Sequence, residues 1–137
     1  MNRCSDWAAK TAPTLADFEQ IADAAFAALP ETVRTLCEGV VVRVDDFPDE
    51  DTLVALRCES EFDLLGLFRG QGLAQGEGGA TGQLPNMIWL YRRPLLDHWA
   101  AHEDTLGALI RHVLIHEIGH HFGFSDEDMA RIEASGP

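Results

Sequence analysis

Residues 116–126 read His-Glu-Ile-Gly-His-His-Phe-Gly-Phe-Ser-Asp. Side chains four apart on a helix share one face, so the imidazoles of His116 and His120 can reach a single cation. Glu117 lies about 100° round the helix from His116. There its carboxylate can stand beside the cation's open coordination position without becoming a ligand. Two imidazoles and an adjacent carboxylate suit zinc, with the carboxylate as general base towards a water of lowered pKa. A catalytic zinc takes three protein ligands, and Asp126 is the expected third. A helix running on from His120 would carry position 126 away from the ion. Glycine tolerates positive φ, so a turn at Gly123 can return Asp126 beneath it. The expected assignment is one Zn2+ on His116, His120 and Asp126, with Glu117 taking the water's proton and passing it to the leaving amine of a peptide or protein substrate.

These residues need a helix to hold them, and the chain provides one. Glu103–Phe122 carries Leu106, Leu109, Ile110, Val113, Ile118 and Phe122 at helical spacing, with Gly123 as the stop. Ser125–Ala134 reads as a short last helix, Ser125 being the N-cap and Asp128 following three residues on. Upstream, Thr14–Leu29 repeats its apolar residues with helical period between a capping Thr14 and Pro30. Val40–Val44 reads as a strand ahead of an Asp-Asp-Phe-Pro turn, and Leu64–Arg69 and Met87–Arg92 read as two more. Glu50–Cys58 reads as a short helix. Gly70–Gly82 is glycine-rich, but a strand and not a helix N-terminus follows it, so it is expected to be a surface loop or a flap over a cleft and not a phosphate cradle.

Neighbouring residues have plainer readings. His121 lies about 100° round the helix from His120 and should miss the metal, leaving it a packing role. His112, four residues before His116, reads equally as a cleft-lining or supporting partner and as a surface histidine. Asp126 itself also suits the first turn of the last helix, where the dipole favours an acid; Glu127 and Asp128 are read as solvated acids there. Tyr91, Arg92 and Arg93 are candidates for stabilising an oxyanion, with nothing in the sequence to place them.

Ten Lys and Arg face 23 Asp and Glu, a formal charge of −13. Such a field repels phosphate backbones, which argues against nucleic acid as a partner and against a metal-dependent RNase. At 137 residues one domain is expected over 1–137, its first thirteen residues flexible. No apolar run approaches the ~20 residues of a membrane span, and Met1–Pro13 has no signal-peptide pattern, so a cytoplasmic protein is expected. Cys4, Cys37 and Cys58 are an odd number without CxxC spacing, as suits free thiols. Oligomeric state is left open.

The string HExxHxxGxxD is similar to the metzincin pattern, with aspartate in place of the usual third histidine, as in the snapalysin-type proteases. More closely, LLGLFRG (64–70), LPNMIWLYRRPL (84–95) and HVLIHEIGHHFGFSDEDM (112–129) resemble a family of small bacterial zincin-like proteins taken as zinc metallopeptidases. The resemblance implies an α+β chain with a minimal zincin-like fold, a small mixed sheet packed on an active-site helix and two or three further helices. By analogy with zincins, Leu65–Arg69 is expected to be the edge strand that pairs with an extended substrate. Met129 falls inside the last helix and not in the methionine turn of metzincins. In gluzincins a glutamate from a later helix is the third ligand; Glu133 is the one late candidate, poorer than Asp126, which sits at the motif spacing. A zinc-binding interaction domain descended from a protease is the alternative function, and the presence of Glu117 speaks against it.

Overall fold

Thr14 starts the first long helix with a reciprocal cap. Its hydroxyl accepts from the Asp17 N–H at 3.1 Å, and the Asp17 carboxylate accepts from the Thr14 N–H at 2.8 Å. Two amides with no partner inside the helix are thereby satisfied. In the computed structural model, which describes residues 3–70 and 86–135, the elements run α1 (Arg3–Ala8), α2 (Leu15–Ala27), α3 (Glu31–Leu36), β1 (Val41–Asp45), α4 (Glu50–Ala55), β2 (Gly66–Arg69), β3 (Met87–Tyr91), α5 (Arg92–Ala100), α6 (Leu106–Phe122) and α7 (Asp126–Ser135). The chain is α+β, as expected. Most of the glycine-rich stretch falls at 71–85, outside the described residues.

The sheet order is β1-β3-β2, with β1 parallel to β3 and β2 antiparallel to it. Strand alternation divides its side chains between two faces. Val44, Ile88, Leu90 and Phe68 lie on one face and are buried. α2 packs over β1, α6 packs over β2, and the two helices pack against each other. Phe18 and Ala22 of α2 join Leu109, Ile110, Val113, Leu114 and Ile118 of α6 in one core with these strand residues. The opposite face carries Trp89 and Tyr91. There Thr52 of α4 is buried and its hydroxyl accepts from the Arg69 guanidinium at 2.9 Å. Burial pushes the Tyr91 hydroxyl up to about 12.

Helices α1, α3 and α5 go beyond the sequence reading. Pro30, expected to end α2, is also the N-cap residue of α3. Arg92, expected to end a strand, is the first residue of α5. Its guanidinium donates to the Pro13 carbonyl at 2.7 Å and to Asp46 at 2.8 Å, contacts that only the assembled fold provides. Pro94 follows in the first turn of α5, where a missing N–H removes no helical hydrogen bond. α6 begins at Leu106 and not Glu103, because the Thr105 hydroxyl caps it by accepting from the Ala108 N–H at 3.1 Å. No helix among the described residues is long and apolar enough to cross a membrane.

Cys37 is buried in the core and Cys58 is half-buried. Burial lifts the Cys37 thiol from an ordinary value of 9.0 to about 11. At pH 8 its thiolate is therefore about 100-fold scarcer than at an ordinary cysteine, and the thiolate is the reactive form. Iodoacetamide followed by peptide mass spectrometry should label Cys58 well ahead of Cys37, the difference vanishing in denaturant.

Candidate metal centre and active site

α6 has an apolar side fixed in the core and a polar edge carrying His112, His116 and His120. The His116 and His120 rings lie 5.9 Å apart between centroids, nearly perpendicular at 79°. Two imidazoles are thus presented along one helix edge, as the four-residue spacing requires. His121 turns away from them. Its ring stacks on Phe68 at 3.9 Å and meets Phe122 edge-on at 4.9 Å, a packing role.

Glu117 faces β2. Its Oε1 accepts from the Phe68 N–H at 3.3 Å. The antiparallel ladder explains why that donor is free. Tyr91 N–H donates to the Leu65 carbonyl at 3.0 Å, so Leu65 and then every second residue bond to β3. Phe68 falls on the alternate set, and its N–H points outward from the sheet edge. Glu117 thus occupies the edge of β2 that an added extended strand would use. Partial burial pushes the Glu117 carboxyl above its ordinary value; the Phe68 N–H and the nearby His120 oppose this without cancelling it.

α6 ends at Gly123, whose φ of 78° is left-handed, and the Phe124 N–H closes the end by donating to the Gly119 carbonyl at 2.8 Å. The left-handed conformation, which strains a residue bearing Cβ, reverses the chain and sends α7 back along α6. Gly119, inside the HExxH segment, makes the return contact possible: a Cβ there would lie 2.8 Å from Cγ of the buried Met129 on α7. Glycine inside a helix ordinarily costs about 1 kcal/mol relative to alanine, so its presence reflects this packing. Gly119→Val should therefore destabilise the protein by about 1–3 kcal/mol through overpacking. A urea midpoint equal to or above that of the parent protein would contradict the close approach.

The returning helix carries both carboxylate candidates. Asp126 is the first residue of α7 and is exposed. Glu133, two turns later, reaches the histidine edge: its Oε1 lies 3.1 Å from His116 Nε2 and its Oε2 lies 2.8 Å from His112 Nδ1. These two imidazoles hold its carboxyl below the ordinary value despite some desolvation. Among the described residues, the trio of candidate ligands with atoms mutually within 4.8 Å is His112, His116 and Glu133, whereas Asp126 and His120 stand outside it. The His112 contact was only half-legible in the sequence, from its spacing four residues before His116; its partner Glu133 lies 21 residues away. Arg111 holds the end of α7, donating to the Glu133 and Ile132 carbonyls at 2.9 Å each.

Imidazoles with nearby carboxylates form a donor set suited to zinc and its neighbours and not to calcium or magnesium. The family profile described as zincin-like metallopeptidase matches residues 37–135 of the chain, from the end of α3 through α7. The chain belongs to the zincin-like metallopeptidase family. A comparison with curated proteins returned no match. The matched region includes the whole sheet and both helices of the histidine edge, so the zincin-like part of the fold is the part that carries the candidate site.

Proposed function

We propose that this zincin-like protein is a zinc-dependent peptidase, with His116, His120 and Asp126 as metal ligands and Glu117 as general base. The observation that carries the reading is Glu117: it adjoins the two-histidine edge of α6 and meets the outward N–H of Phe68. A metal-holding helix edge and a substrate-pairing strand edge thereby share one carboxylate. The Gly123 reversal and the seat of Met129 against Gly119 support a role for α7 in supplying the third ligand. Asp126 would complete the centre by closing the first turn of α7 towards His120.

His116, His120 and Asp126 would hold a zinc ion, which when bound would supply Lewis-acid chemistry for the scissile carbonyl and for a water acidified towards neutral pH. An extended substrate adds to β2 and takes up the outward backbone groups around Phe68. That pairing displaces Glu117 from the Phe68 N–H and frees its carboxylate to accept the proton of the attacking water. Glu117 then returns the proton to the leaving amine as the C–N bond breaks.

The test is a diverse peptide library incubated with zinc-loaded protein, with cleavage read by mass spectrometry and Glu117→Gln as control. Cleavage lost in the control supports the proposal. Stoichiometric zinc without any cleavage would favour the other reading, a metal-binding interaction domain.

A further inference from the structure

We propose that His112, His116 and Glu133 form a second zinc position that competes with the HExxH centre for His116. The inference rests on the reading above only in taking His116 as a ligand of that centre. Zinc bonds of 2.0–2.1 Å in a tetrahedron set neighbouring ligand atoms roughly 3.3 Å apart. The Glu133 oxygens stand 3.1 Å from His116 Nε2 and 2.8 Å from His112 Nδ1. The three candidate ligand atoms lie within 4.8 Å of one another, a spread that side-chain adjustments of up to about 1.5 Å would close to this spacing.

The trio is also open and supported. The His112 side chain is 51% exposed and those of His116 and Glu133 are 32% exposed, so a hydrated cation can enter. Arg111 fixes the Glu133 backbone through its two carbonyl contacts, which limits the freedom lost when the carboxylate is engaged. The net charge of −13 raises the local concentration of cations.

The sharing of His116 gives the second position a consequence. Nε2 of His116 is the atom turned to the Glu133 carboxylate, and it gives its single lone pair to a metal once the proton of that contact has left. His116 serves one cation at a time through that atom. Zinc held by His112 and Glu133 draws His116 away from His120, so excess zinc disassembles the HExxH centre.

The experiment is calorimetric titration of metal-free protein with Zn2+, with metal content measured after gel filtration and folding checked by circular dichroism. His120→Ala removes the HExxH centre and leaves the trio. It should bind about one zinc, more weakly than the parent protein, and adding Glu133→Gln or His112→Asn in that background should weaken binding at least ~10-fold. A folded His120→Ala protein with no zinc affinity, or one whose affinity ignores both further substitutions, overturns the inference and leaves the HExxH reading standing. Parental affinity in His120→Ala, lost on adding His112→Asn, refutes the HExxH reading and overturns the competition with it, because the trio is then the sole zinc position. If Glu133→Gln alone removes the tight zinc while His112→Asn alone does not, the inference also fails, because Glu133 is then the third ligand of the HExxH centre.

Discussion

Glu117→Gln is expected to keep its zinc and lose peptide hydrolysis by about 10²–10⁴-fold, the usual range for removing a positioned general base. The amide preserves the size of the side chain, and its carbonyl oxygen can still accept from the Phe68 N–H, the contact that holds Glu117 at 3.3 Å. What it loses is the capacity to take a proton. Thermal stability should accordingly change little, and zinc content by elemental analysis should match the parent protein. A Glu117→Gln protein that cleaves peptides at the parental rate would remove Glu117 from the mechanism. One that loses zinc together with activity would show that the carboxylate belongs to the ligand set.

The second large effect concerns His116, the residue on which both proposed metal positions converge. His116→Ala should lower bound zinc from about one per chain to background, since a catalytic site has only three protein ligands. The same substitution separates metal-linked from intrinsic stability. A ligand that binds only the folded chain stabilises it by RT ln(1 + [L]/Kd), about 2.7 kcal/mol at a hundredfold excess over Kd. For a chain of this length that corresponds to a rise in Tm of roughly 5–10 °C. The parent protein should show this rise on adding zinc, and His116→Ala should not. Without metal the two should differ little, because the His116–Glu133 contact is one-third exposed and contributes at most about 1 kcal/mol. Zinc retained by a folded His116→Ala protein would exclude His116 from both positions.

Much of the scaffold was written locally. The Thr14 box, the Asp49 cap of α4, the Ser125 turn and the left-handed Gly123 depend on residues within a few positions of one another, and each was readable or nearly so. Two of the short helices absent from the sequence reading, α3 and α5, lack such signals. Neither Pro30 nor Tyr91 makes a side-chain cap hydrogen bond, and α5 starts where Arg92 is tied to Pro13 and Asp46, residues 79 and 46 positions away. The strand boundaries moved by one or two residues for a similar reason, since pairing with a neighbour and not propensity decides where a ladder stops.

The candidate site divides in the same way. By itself the sequence determined that two imidazoles four residues apart would share an edge of a helix, that Glu117 would lie off that edge, and that the chain would turn at Gly123. Those consequences follow from helical geometry and from the freedom of glycine, and they need no distant partner. The edge position of β2 was expected from the family resemblance, but only the tertiary structure decided that its outward N–H at Phe68 meets Glu117 across 49 positions and that Glu133 reaches back to His112 and His116. Those contacts depend on how α7 seats against Gly119 and how α6 lies over β2, which is settled by packing between segments remote in the chain.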